Sequence, residues 1–171
     1  TKIETNELDM SNESFNMVEL FDAAIESVEI RAEEKGIMPR QKVAPDLPQV
    51  YGDFDRLRRV LVNLVDNAIK YNQDGGTVQL EAESQNDEVV IRVVDDGIGI
   101  SPDHLPRLTE RFYRVDKSRS RNQGGTGLGL AIVKHILAAH DRELHVESAP
   151  EEGSTFYFTL PTSPQPSLQP A

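Results

Sequence analysis

The sequence predicts an α+β fold, a two-layer sandwich in which a mixed, mostly antiparallel sheet packs on three helices. Three observations carry that expectation. The elements run helix, strand, helix, two strands, long loop, helix, two strands. The strands meet mainly through hairpins rather than through alternating βα units, and the first two helices each carry an apolar stripe.

Residues 1–16 read as a polar lead-in. Val18, Phe21, Ile25, Val28 and Ala32 then recur at helical spacing until Gly36, with Pro39 beyond, which predicts a helix over about residues 17–35. Pro45 and Pro48 bracket an extended connection that follows a strand at 41–44. Asp53 suits the N-cap of a second helix reaching about Tyr71, with Leu57, Leu61, Leu64 and Ala68 on one stripe. Asp74, Gly75 and Gly76 end it in a turn. Strands at 77–83 and 88–94 form a hairpin through Gln85, Asn86 and Asp87. Residues 95–129 lose periodicity and make a loop too long to be passive. Residues 130–139 are apolar nearly all round and predict a buried helix, and 144–148 and 155–160 predict a closing hairpin turned at 151–153. The tail beyond Pro161 has the composition of a disordered segment.

A chain of 171 residues suits one domain with flanks. Cysteine is absent, which excludes disulfides, thiolate metal sites and a cysteine nucleophile. A net charge of −11 argues against a nucleic-acid partner, because phosphate backbones recruit basic surfaces. A phosphate ligand would need a local basic pocket, and Arg107, Arg111, Arg114, Lys117, Arg119 and Arg121 fall in one short stretch. Alone, that stretch reads first as a solvated charged loop. No apolar run approaches the roughly 20 residues that span a bilayer, and the N-terminus is polar, unlike a secretory signal. The expectation is a cytoplasmic domain.

Three stretches carry chemistry. In NLVDNAIKY, Asn63, Asn67, Lys70 and Tyr71 share one flank of the second helix beside its apolar stripe. Asparagine is a weak helix former, so two of them a turn apart are either satisfied amides or carboxamide ligands for Mg²⁺. Lys70 offers a point charge to phosphate and Tyr71 a face to an aromatic base. In VVDDGIGI, Gly97 and Gly99 allow close backbone approach, and a carboxylate before them can accept from an exocyclic amine such as that of adenine. By itself DDGIG reads first as an acidic turn. In GGTGLGL, glycines open the apolar helix and free backbone amides for an anion at the helix's positive end. The spacing is neither a Walker A loop nor a dinucleotide fingerprint.

The three together, in this order, resemble a family. NLVDNAIKY is similar to the N box, DDGIG to the first glycine box, RFYR to the F-box region and GTGLGL to the second glycine box of bacterial sensor histidine kinases. The likeness runs from about Val18 to Leu160. It implies the Bergerat ATP-binding fold, shared with gyrase and heat-shock chaperone ATPases, with ATP and Mg²⁺ bound. Carried over by position, Asn67 resembles the main Mg²⁺ ligand with Asn63 supporting it, Lys70 meets phosphate, Tyr71 lies against adenine and Asp95 reads its amine. Gly97, Gly99 and Ile100 line the base, and Thr155 resembles the residue that backs Asp95 through water. Arg114 resembles the phosphate-facing arginine, and Gly125 to Gly129, with Thr126, Gly127 and Leu128 between, the triphosphate cradle under a lid at 116–124. In PRLTERFYRVD, Thr109 stands where the family usually has a first phenylalanine, leaving Phe112 as the F-box aromatic. That variant and the following KSRSR resemble the phosphate-regulon sensor kinases.

Related ATPases carry a glutamate where this chain has Asn63. An amide cannot usefully accept a proton near neutral pH, so positioning and charge neutralisation remain, which suit phosphoryl transfer to a nucleophile supplied from elsewhere. The helical angle of Asp66 points it away from the amide flank. Within the family the nucleophile is a histidine on a dimerisation hairpin, and none of His104, His135, His140 and His145 has that setting. Thr1 to Glu7 resembles the end of that hairpin, so residues 1–16 are expected to be its terminus and linker, 17–161 the catalytic domain and 162–171 the tail. The expected catalytic residues are Asn63, Lys70 and Arg114. The expected partners are the protein's own dimerisation domain and a response regulator. The full-length kinase is expected to be a homodimer, compatible with an inner-membrane anchor, and this piece a monomer. The alternatives are a nucleotide-binding regulatory module without transfer and, disfavoured by Asn63, a stand-alone ATPase or serine kinase.

Overall fold

The computed structural model describes residues 10–97, 129–148 and 153–162. Its elements in chain order are β1 (Asn12–Phe15), α1 (Met17–Glu34), β2 (Arg40–Val43), β3 (Val50–Asp53), α2 (Phe54–Lys70), β4 (Val78–Gln85), β5 (Glu88–Asp95), α3 (Gly129–Ala139), β6 (His145–Ser148) and β7 (Ser154–Pro161). A five-stranded sheet runs β2-β4-β5-β7-β6, with β2 parallel to β4 and the other pairs antiparallel. β1 and β3 pair as a separate antiparallel ribbon. This is the expected α+β sandwich, its sheet mixed and mostly antiparallel.

Alternation along the strands builds the core. Val78, Leu80 and Ala82 of β4, Val89, Ile91 and Val93 of β5, and Phe156, Phe158 and Leu160 of β7 are buried in one cluster with the helices. The central helix α2 meets them with Leu57, Val60, Leu61, Leu64, Val65, Ala68 and Ile69, a stripe at three- and four-residue spacing. Each large apolar side chain so buried contributes roughly 1.5–3 kcal/mol. Among the described residues, no helix is long and apolar enough to cross a membrane.

The helix ends follow from local chemistry. Asn16 caps α1 by accepting from Val18 N–H at 2.8 Å. At its other end Ile37 N–H reaches Ala32 C=O (2.9 Å) and Gly36 N–H reaches Glu33 C=O (3.0 Å), with Gly36 at φ 67°, and Ile37 is buried. Asp53 caps α2 through Oδ1 to Arg56 N–H at 3.1 Å, as the sequence predicts, and its Oδ2 also accepts from Ser11 N–H at 3.0 Å. His140, at the end of α3, accepts from Asp53 N–H through Nε2 at 3.1 Å. Its Nδ1 faces Ile136 C=O at 2.9 Å, which fixes the neutral tautomer with hydrogen on Nδ1. Burial holds its pKa below the usual histidine value. These contacts give His140 a structural role at the junction of α3 with the start of α2.

Two elements and one burial pattern differ from the sequence reading. β1 has only Phe15 buried, so no alternation marks it within the polar lead-in; Phe15 packs edge-on to Phe54 at 5.1 Å and closes the start of α2. β3 hides between Pro48 and the helix cap, with Gly52 and Asp53 imitating a turn. The helix α3 is buried only through Val133, Ile136 and Leu137, because it packs on α2 by one stripe. Beside that stripe, Ala131, Ile132 and His135, with Ile136, border a groove shared with Asp55, Arg56 and Arg59 of α2.

Candidate nucleotide-binding site

The described parts of the chemistry-bearing stretches lie along the amide flank of α2, with the start of α3 beside Asn63 and the end of β5 beside Tyr71. Asn63, Asn67 and Lys70 are half-buried on α2 while Leu64, Val65, Ala68 and Ile69 are buried, so the amide flank borders the core and stays open. A Cβ built on Gly129, the first residue of α3, would lie 3.7 Å from Asn63 Oδ1. The start of the glycine-opened helix and the first amide are therefore neighbours. At the far end of α2, a Cβ on Gly97 would come within 2.6 Å of Tyr71 C=O and 3.2 Å of Asn72 Cα. Only glycine permits that approach, and it brings the end of β5 against Tyr71.

The two adjacent aspartates at the end of β5 have opposite environments. Asp96 Oδ1 accepts from Thr77 N–H at 2.8 Å and from the Asn72 amide at 3.1 Å, and these bonds hold its pKa below the usual carboxylate value. Asp95 is largely desolvated, which pushes its pKa up to about 6 against hydrogen bonds from Gly97 N–H, at 2.8 Å, and from the Ser154 backbone. Asp96 is thus occupied in holding the fold. Asp95 is a carboxylate kept from water at the mouth of the site, the setting in which a ligand's N–H gains most.

The strand register assigns the residue behind Asp95. In the β5–β7 pair Asp95 faces Ser154, and Val94 faces Thr155. Facing residues of an antiparallel pair share one side of the sheet, and the next residue lies on the other. Ser154, buried with its Oγ 2.8 Å from Ser148 Oγ, is therefore on the side of Asp95, and Thr155 is on the opposite side. The register thus puts Ser154, rather than Thr155, beside Asp95. Gly153 at φ 84° makes this possible, since a Cβ there would lie 2.1 Å from Asp95 C=O.

Lys70 lies 3.6 Å from Asp66 Oδ2, and Asp66 also holds Arg31 of α1 at 2.7 Å. Asp66 thus bridges α1 and the amide flank, rather than pointing away from that flank as the helical angle suggests. For Lys70 to reach a phosphate it would exchange this half-exposed ion pair, whose loss costs little. Among the described residues no group of His, Cys, Asp or Glu could hold a metal ion alone. The carboxamides of Asn63 and Asn67 suit Mg²⁺ when phosphate oxygens complete its shell, so the donor set fits a Mg·nucleotide rather than a bare ion.

A profile of the histidine kinase-, DNA gyrase B- and HSP90-like ATPase family matches residues 52–164, from the end of β3 to just past β7. The chain belongs to that family. It is 52% identical over 108 residues to the phosphate regulon sensor protein PhoR of Pseudomonas aeruginosa, an alignment covering 63% of this chain and 24% of that protein. The chain thus spans about a quarter of that curated relative. Full-length ShkA, solved in complex with AMPPNP, matches at a TM-score of 0.79 and 32% identity over 92% of this chain and 33% of its own. The nucleotide-free catalytic domain of the histidine kinase ThkA matches at 0.78 and 26% identity over 91% of this chain and 98% of its own. The domain is therefore one of the ATPase-family domains of sensor histidine kinases.

Gly99, Ile100, His104, Thr109, Phe112, Arg114, the basic stretch and lid, and Gly125, Thr126, Gly127 and Leu128 lie outside the described residues. Within them, the site uses residues that sequence reasoning passed over. Ser154 was hidden by a one-residue register choice in GSTF. Asn72, 1% exposed, directly follows NLVDNAIKY and carries three hydrogen bonds. A polar residue abutting a motif was the only available signal for it.

Proposed function

We propose that this domain binds Mg·ATP and transfers its γ-phosphoryl group to a histidine on the dimerisation domain of a sensor kinase, for relay to a response regulator. The observation that carries the reading is the convergence of the α2 amide flank, the desolvated Asp95 and the start of α3. Asp95, backed by Ser154, would accept from the adenine amine while Tyr71 covers the base. Asn67 and Asn63 would hold Mg²⁺, which supplies charge neutralisation along the phosphates. Lys70 and Arg114 would meet the phosphates, with Gly125, Thr126, Gly127, Leu128 and Gly129 cradling them at the positive end of α3. Gly97, Gly99, Ile100 and Phe112 would complete the walls.

Asn63 gives the pocket no general base, and Asp66 is ion-paired with Arg31 and Lys70. Water is therefore left unactivated, and the incoming imidazole nitrogen bonds to the γ-phosphorus as the bond to the β–γ bridging oxygen breaks and ADP leaves. The likeness to PhoR supports a phosphate-regulon setting. In this reading the full-length protein is a homodimer working on the cytoplasmic face of the membrane, and the isolated piece is monomeric.

Mixing the chain with an isolated acceptor hairpin and γ-labelled ATP tests transfer. Label on the hairpin histidine, with negligible release of inorganic phosphate in its absence, is expected. ATP binding with an unlabelled hairpin would instead identify a regulatory module that holds nucleotide without transferring it. Steady hydrolysis by the chain alone would identify an ATPase.

A further inference from the structure

Lys35, the residue that ends α1, reaches across to the end of α2. Its Nζ donates to Ile69 C=O at 2.9 Å, Lys70 C=O at 2.8 Å and Asn72 C=O at 2.7 Å, and its own carbonyl accepts from Gly75 N–H at 2.7 Å. Carbonyls in the last turn of a helix lack partners along the helix and sit at its negative end. One ammonium carries three N–H groups, matching the three carbonyls that converge on it. The acceptors lie on both sides of Tyr71, so the clamp straddles the residue that would cover the base.

From there the contacts run on to the carboxylate. Tyr71 C=O abuts Gly97, whose N–H is bound by Asp95. The Asn72 amide donates to Thr77 C=O at 3.0 Å and to Asp96 Oδ1 at 3.1 Å, tying the end of α2 to the end of β5. Lys35 sits at the α1 end of this network.

We infer that Lys35 is a positioning residue for adenine recognition: its ammonium, clamped on the Ile69, Lys70 and Asn72 carbonyls, sets the distance between Tyr71 and Asp95. The inference rests on the reading of this pocket as an ATP site, and deepens it by placing control of base selectivity on α1. A residue that only stabilised the helix end would change the affinities for all nucleotides together. One that sets the base corner changes the preference for adenine, because the triphosphate contacts at Asn63 and Gly129 lie a turn or more away and Lys70 is clamped through its backbone carbonyl rather than its side chain.

The test is competition binding of ATP and inosine triphosphate, with Mg²⁺, to the wild-type chain and to Lys35→Met. Inosine has a carbonyl where adenine has its amine. Loss of a charged hydrogen-bonding clamp should weaken ATP about tenfold, with inosine triphosphate changed less than twofold, so the preference collapses. Proportional weakening of both, or no change in either, overturns the inference while leaving ATP binding in place. If the wild-type chain binds neither, the functional reading fails and the inference with it. Should Lys35→Met not fold, Lys35→Arg carries the test, since it keeps the charge but offers a planar fork instead of a compact point of three N–H groups. A severalfold loss of preference is then expected, and a wild-type preference overturns the inference.

Discussion

Asp95 and Asp96 are neighbours in sequence and opposites in chemistry. Asp96 accepts from Thr77 N–H and the Asn72 amide and gains from being charged, whereas Asp95 is raised to about 6 by burial. Between pH 3.8 and about 6 the native state holds a proton on Asp95 that the unfolded chain releases, so this group's stability contribution is lost as pH rises through that window. Asp95→Asn should therefore be more stable than wild type at pH 7, by ~1–3 kcal/mol, with the gap closing near pH 4. Thermal melts at the two pH values check this, and a gap of equal size at both contradicts it. The same substitution should weaken binding of an ATP analogue, because it replaces a pure acceptor with a mixed donor and acceptor. In the wild type, affinity for that analogue should decline as pH falls through about 6. DDGIG shows that an acid stands before the glycines, but only the pairing with Thr77 and Asn72 separates the two.

At the scale of elements, the sequence pattern is most readable where one stripe faces one core. α1 and α2 were legible to within a residue or two from Phe21, Val28, Leu57, Leu61 and Leu64, and from the Asp53 cap. β1 and β3 were not, since their pairing depends on a partner distant in sequence and their buried side chains are too few to show a period. α3 misled in the other direction: Leu130, Ala131 and Ile132 are apolar, yet one stripe suffices to pack it on α2. Its end holds another departure from local preference. Asp141 adopts φ 61° at the position where helices favour glycine, and Arg142 N–H closes the turn onto Leu137 C=O at 2.8 Å. Asp141→Gly should raise stability by about 0.5–1 kcal/mol, read as a higher midpoint in urea with an unchanged slope. A lower midpoint would mean that the aspartate side chain contributes more than its backbone costs.

Across the whole molecule, ten described elements serve to bring the end of β5 and the start of α3 to the amide flank of α2. The amide flank, the acid with glycines and the glycine-opened helix are far apart in sequence, and their order along it was sufficient to suggest a nucleotide site. Which of Ser154 and Thr155 stands beside Asp95 was not readable in the same way, because the two are chemically alike and only the register of β7 on β5 distinguishes them. The net charge of −11 makes the demand on the site more stringent, since a triphosphate must be drawn to a chain that repels it overall. Magnesium bound with the nucleotide would relieve that repulsion, and the carboxamides of Asn63 and Asn67 add no negative charge of their own. The measurement that bears most directly on this account is a calorimetric titration of a non-hydrolysable ATP analogue into the chain, with and without Mg²⁺. The account predicts saturable binding at one site that tightens with Mg²⁺ and weakens in Asn67→Asp, where a carboxylate replaces the neutral ligand. Absence of binding under both conditions, or binding indifferent to Mg²⁺ and to Asn67, would contradict it.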